Sequence, residues 1–325
     1  MTPRRGTAVA IALLSAALAA AGCGLGPGAD VGSVELTVTR EFGAEPVLQR
    51  SLEAKESDTV MRALEANADV ETRFGGGFVH AIEGAAEGER GGDPYDWFFF
   101  VDGVESPVGA ADVDLKGDER IWWDYRDWSA TNHVPAVVGS WPAPFVAGVA
   151  GKRHPVVVEC AGAERGSFRA YTAQKEPRVA WGGACAQTQA ALEREGVALT
   201  PESPKGAIRV LVGPWSRLRQ DPAAQLLEAG PAESGIYASF VPGTRGQTQL
   251  LALDEDGTEA RDLGSDAGLV AATSRFGGPP VWLVTGGTAA AVRDAADGLD
   301  AAHLRDHYAV AIEAGKVTPL PVEAR

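Results

Sequence analysis

Gly75-Gly76-Gly77-Phe78-Val79 opens a dense aromatic stretch that runs through Trp97-Phe98-Phe99-Phe100-Val101-Asp102-Gly103 to Glu119-Arg120-Ile121-Trp122-Trp123-Asp124-Tyr125-Arg126 and ends at Trp128. The run Trp97–Val101 is apolar without a break and is closed by Asp-Gly, which reads as a strand ended by a turn. The second aromatic strand is entered through Lys116-Gly117-Asp118, another turn of the Gly/Asp kind. Side chains alternate faces along a strand, so Trp97 to Phe100 cannot all point one way, and Trp122 and Trp123 point oppositely. One reading makes Trp97, Phe99, Trp122 and Tyr125 the core of a small sheet. Because aromatics stand on both faces, the second face is either covered by the C-terminal half or exposed to a ligand or partner.

The order Gly77-Phe78-Val79, Ile82, Gly84, Trp97, Asp102-Gly103, Ala111-Asp112-Val113, Leu115, Gly117-Asp118, Trp122 resembles the transcobalamin-like C-terminal domain. That small β-rich domain ends the vertebrate cobalamin carriers and recurs in bacterial surface proteins. The helix Thr59-Val60-Met61-Arg62-Ala63-Leu64 stands upstream, where the family also places one. The resemblance covers roughly residues 33–128 and implies a β-grasp-like fold. It also implies a bound corrinoid or other flat cofactor against Phe78, Trp97 and Phe99, at the turn Gly75–Gly77, with Trp122 a further candidate contact. Trp97 is the first choice among them, since the family carries a tryptophan in the same strand.

A chain of 325 residues that is 45% hydrophobic can bury a sizeable core and suggests about two domains. Its formal charge of −15 becomes more negative if Arg4 and Arg5 leave with a leader. That balance argues against nucleic acid or an anionic membrane surface as direct partners, because both require basic patches. Residues 1–22 read as a secretory leader, with two arginines before the apolar run Ala8–Ala21. Leu18-Ala19-Ala20-Ala21-Gly22-Cys23 resembles the bacterial lipobox, which implies lipidation at Cys23 and an anchor on the outer face of the cytoplasmic membrane. Residues 23–32, rich in Gly and Ala, read as a tether.

Two domains are expected: residues 33–130, and a mixed α/β domain over 155–325 of unknown role, joined by a Pro/Gly-rich linker over 131–154. The fold class is therefore α+β, a small β-grasp-like N-terminal domain followed by a mixed α/β domain. Ser33–Phe42 alternates as a half-buried strand, and Asp58 is offered as N-cap of a short helix whose Met61 belongs to the core. Glu83–Asp93 reads as a polar loop. Trp141 and Phe145 are expected to tuck against a neighbouring domain. Beyond Pro155, strands are expected at Pro155–Cys160, Ala207–Val212 and Val281–Val284, with helices over Ala184–Glu195 and Ala289–Ala296. Another helix is read from Asp221-Pro222 to Gly230, and hairpins around Asp254–Gly257 and Ala314-Gly315.

Chemistry-bearing patterns are sparse. Gly286-Gly287-Thr288 lacks both the dinucleotide fingerprint and a Walker lysine, so it reads as a plain strand-to-helix turn. His303 and His307 have helical spacing, but Leu304 stands where a hydrolytic zinc site wants glutamate, so both read as surface residues and no metal site is expected. No Gly-x-Ser-x-Gly elbow or Cys/His pairing is present, and no catalytic function is expected. Asp124 and Asp127 beside Arg126 suggest a strand-edge salt bridge, while Asp254 and Asp256 lie in turn-forming sequence. Cys160 and Cys185, the only thiols left once Cys23 is consumed, are expected to be disulfide-bonded in an oxidising compartment, with buried free thiols as the alternative. The functional expectation is a lipid-anchored binding protein for a corrinoid or other flat cofactor, an accessory to membrane transporter subunits. The alternative is a structural or adhesive module of the cell envelope.

Overall fold

The computed structural model describes residues 28–164, 166–171, 179–243, 246–275 and 277–324. The leader and Cys23 lie outside them. The chain is α+β with strand outweighing helix. Strand β1 (Asp30–Arg40) starts inside the stretch read as tether and turns into β2 (Glu45–Lys55). The turn works through glycine: Gly43 has φ +89°, and a Cβ there would lie 1.8 Å from the carbonyl oxygen of Asp306. Helix α1 (Val60–Glu65) follows, capped by Thr59, whose Oγ1 accepts from the Arg62 amide. Asp58, expected as the cap, instead accepts from the amide of Lys55 at 2.8 Å.

Strands β3 (Val70–Arg73), β4 (Phe78–Ile82) and β5 (Ala85–Ala86) form a small sheet. Next come β6 (Gly88–Arg90), β7 (Asp93–Val101), β8 (Val104–Glu105) and β9 (Arg120–Asp127). The stretch Glu83–Asp93 is thus no simple loop, since it holds β5 and β6. The main N-terminal sheet runs β2-β1-β9-β7-β6, with β8 on β7 and with β1 and β9 parallel. Val60, Met61 and Leu64 of α1 pack on Leu36, Trp97, Trp123 and Tyr125 in one core. At about 1.5–3 kcal/mol per large side chain withdrawn from water, this core is what holds α1 on the sheet.

The segment 131–154 is packed rather than extended. Val134, Val137, Val138 and Trp141 are buried, and α2 (Ala143–Val146) carries Phe145 onto Trp282, with ring centroids 4.9 Å apart. Beyond it lie β10 (Val156–Ala161), β11 (Phe168–Ala170), α3 (Gly182–Arg194), β12 (Ile208–Pro214) and α4 (Trp215–Leu218). The helix expected after Asp221-Pro222 is a 3-10 turn over Ala224–Ala229, which does end at Gly230. Then follow α5 (Pro231–Ser234), β13 (Ala238–Pro242), β14 (Thr248–Leu253), β15 (Glu259–Gly264), β16 (Gly268–Thr273) and β17 (Val281–Gly286). The chain closes with α6 (Ala289–Asp297), α7 (Ala301–Leu304), β18 (Ala309–Glu313) and β19 (Lys316–Leu320).

A seven-stranded sheet runs β11-β10-β12-β17-β16-β18-β19, parallel from β10 through β12 to β17, and β13-β14-β15 form a separate antiparallel sheet. One face of the large sheet, with Val158, Val210, Val284 and Val310, packs in a core with α3, α6 and Trp141. Leu211, Leu269, Leu283 and Ala311 on the opposite face share a core with Phe42, Phe100 and Trp122 of the N-terminal half. Cys160 of β10 and Cys185 of α3 are disulfide-bonded, tying helix to sheet.

Candidate functional site

The register of β7 on β9 sorts the aromatics. Trp97 pairs with Tyr125, Phe99 with Trp123, and Phe100 with Trp122. Trp97, Phe99, Trp123 and Tyr125 therefore face α1, while Phe100 and Trp122 face the C-terminal half. The second aromatic face is covered. Tyr308 meets Phe100 at 5.6 Å and Trp122 at 5.4 Å, both edge-on, and Phe42 sits between Tyr237 and Tyr308 at 5.1 Å from each. This cover also explains why β1 is buried on both sides, Thr37 and Thr39 included, where alternation suggests only half-burial.

At the centre of this contact lies Asp124, with no exposed surface. Its Oδ1 accepts from Thr39 Oγ1 and the Gly43 amide, and its Oδ2 accepts from the Tyr308 hydroxyl at 3.0 Å. Burial pushes its pKa up to about 6, although these donors and Arg126 pull the other way. The strand-edge salt bridge suggested for Arg126 is not formed. Its guanidinium lies 3.9 Å from the Phe98 ring centroid and donates to the carbonyls of Asp127 and Thr131. Arg120, also buried, reaches across to Asp306 at 2.7 Å.

The four aromatic ligand candidates do not share a surface. Trp97 is buried and donates from Nε1 to the Ala85 carbonyl at 2.8 Å, and Trp122 is buried on the opposite face with its Nε1 on Thr39 Oγ1. Phe99 is half-buried and stacks on Trp123 at 4.7 Å. Phe78 alone is open, at 37% exposure, edge-on to Phe74, which is 88% exposed. Val108, 50% exposed, precedes Gly109, where a Cβ would lie 3.4 Å from the Gly77 carbonyl, so it stands beside the same glycine turn. Trp128, at 38%, completes the exposed large apolar side chains among the described residues. Phe74 and Val108 carry no signal as isolated residues in sequence. Only the turn Gly75–Gly77 between Phe74 and Phe78 hints that both are lifted out of the core.

A groove of about 370 Å³ is lined by Arg73, Glu87, Tyr95, Asp96 and Trp128. A cleft of about 680 Å³ in the C-terminal half is lined by Arg217, Gln220, Gln225, Phe240 and Gln247, with Phe240 stacked on Trp215 at 4.8 Å. The sequence reading does not single out this cleft, because its walls come from α4, the Ala224–Ala229 turn and β13, which meet only in the fold. His303 and His307, read as surface residues, are half-buried. His303 Nδ1 pairs with Asp300 at 2.8 Å, while His307 lies beyond α7, where burial lowers its pKa.

In β topology and aromatic placement, residues 57–127 form a compact sheet-and-helix unit. A family model described as "Domain of unknown function (DUF4430)", a family that includes transcobalamin-like proteins, matches this stretch. The match lies inside the region of resemblance and covers well under half of the chain. No curated protein matches the chain.

Proposed function

We propose that the protein is a lipid-anchored, extracytoplasmic binding protein without catalytic function, with a corrinoid or similarly flat cofactor as the first ligand class to test. One observation carries this reading. All four exposed large apolar side chains of the described residues, Phe74, Phe78, Val108 and Trp128, lie in or directly beside the stretch matched by the family model. Such side chains supply contact area at little ordering cost, and three of them gather at one glycine turn. The contact surface is then Phe74 and Phe78 rather than Trp97 or Trp122, which serve the cores. We read the order β2-β1-β9-β7-β6 with α1 as β-grasp-like, in line with the family resemblance. Lipidation at Cys23 and association with transporter subunits complete the proposal.

The test is titration of the purified full-length protein with cobalamin and other corrinoids, following ligand absorbance and tryptophan fluorescence. Saturable binding is expected, weakened about tenfold or more by Phe74→Ser with Phe78→Ser, two exposed positions whose replacement leaves the cores intact. A loss with Phe240→Ala instead would move the ligand to the C-terminal cleft. No binding at high micromolar ligand, with the protein shown to be folded, would remove the corrinoid. That outcome favours the second reading, an envelope interaction module, which has its own support: the adjoining groove of about 370 Å³ is small for so large a cofactor.

A further inference from the structure

We propose that Asp93, Asp127 and Asp256 together bind a calcium ion at the junction between the N-terminal sheet and the β14–β15 hairpin. The three come from separate places: Asp93 begins β7, Asp127 ends β9, and Asp256 lies in the turn between β14 and β15. One carboxylate oxygen of each lies within 4.8 Å of the others. Two oxygens on opposite sides of one calcium ion are about 4.6–5.2 Å apart, given bonds of 2.3–2.6 Å, so these separations fall within the range that ligands of a single ion span.

A second observation points to a ligand. Asp127 is only 1% exposed. Its Oδ1 accepts from the amide and hydroxyl of Ser129, both at 2.7 Å, but its buried Oδ2 has no hydrogen-bond partner. An ionised oxygen withdrawn from water in this way is costly unless a proton or cation compensates it. No salt bridge within the described residues involves any of the three, and the nearby Arg126 is turned to Phe98 and two backbone carbonyls.

The donor set is oxygen only, which suits a hard cation and gives nothing to zinc or copper. Asp93 and Asp256 are exposed, so the site opens to solvent with Asp127 as its floor. Calcium accepts such irregular, partly hydrated geometry, whereas magnesium demands a tighter octahedron. Affinity is expected in the weak range of extracellular modules, about 0.1–1 mM. The ion would fasten the hairpin to the end of β9, where Gly257 already packs near Ala130 and Pro231.

Titrating calcium into chelator-treated full-length protein at neutral pH, by calorimetry and by thermal unfolding, tests the site. Calcium is expected to bind and to raise the midpoint, with magnesium at least about tenfold weaker. Asp256→Asn and Asp93→Asn, both at exposed positions, should each weaken calcium about tenfold or more while leaving the calcium-free protein as stable as wild type or more so, because a like charge is removed. A carboxylate that merely stabilised the fold would behave oppositely, its loss lowering the midpoint with or without calcium. Absence of heat and of any midpoint shift up to about 10 mM calcium would overturn the site, as would an unchanged calcium response in both variants or equal binding of magnesium.

Discussion

Asp124 is wholly buried where the two halves meet, and its hydrogen bonds come from Thr39, Gly43 and Tyr308, all brought in from distant stretches. Burial raises its pKa from 3.8 to about 6, so the folded protein holds this proton more tightly than the unfolded chain. The contribution to stability is complete below about pH 4 and is lost as pH rises through about 6. Integrated over that shift, it amounts to about 3 kcal/mol. Thermal unfolding of wild type and Asp124→Asn across pH 4–7.5 should show the wild type losing ground to the variant as pH rises. A difference that does not change with pH would contradict this. His307, whose pKa burial lowers, works in the opposite sense and is common to both proteins.

Among the elements, the pair Cys160 and Cys185 was legible through compartment and count, and the structure joins them across β10 and α3. The bridge closes a loop of about 24 residues, for which chain entropy gives roughly 3 kcal/mol. Replacing both cysteines by alanine should lower the denaturant midpoint and steepen the slope, because the uncrosslinked unfolded chain exposes more surface, and a loss below about 0.5 kcal/mol would show that the buried interface holds α3 alone. Strands β10, β12 and β17 were legible as largely apolar runs buried on both faces, and β7 and β9 by their aromatics between Gly/Asp turns. Strand β2 was not. Gln49, Arg50, Ser51 and Glu53 leave it mostly exposed, and it pairs only with β1, so no alternation announces it. Within the candidate site, Phe78 could be named from sequence, but Phe74 and Val108 needed the fold. Asp93 and Asp256 were likewise hidden, since turn chemistry explains each of them singly, and it takes the pairing of β7 with β9 to bring Asp93 to Asp127 and the docking of the two halves to add Asp256.

For the whole molecule, the open question in the sequence was what covers the second aromatic face, and the answer is the C-terminal half itself. Phe42, Phe100 and Trp122 share one core with Tyr237, Tyr308 and the large sheet. The approach is close: a Cβ on Gly139 would lie 2.7 Å from the His307 amide and 2.8 Å from the Trp122 ring. Polar bonds cross the same contact, from Arg120 to Asp306 and from the Val138 amide to the Tyr308 carbonyl. Strand β9, with all eight residues buried, is thereby the strand on which both halves close. Hydrogen–deuterium exchange of the full-length protein measures most directly whether this layer makes one cooperative body. The amides of β9 and β17 are expected to exchange together at the slowest rate in the chain, through global unfolding alone. Exchange of β9 with the rest of residues 57–127 at a rate many times faster than β17 would contradict it, because the N-terminal half would then open on its own.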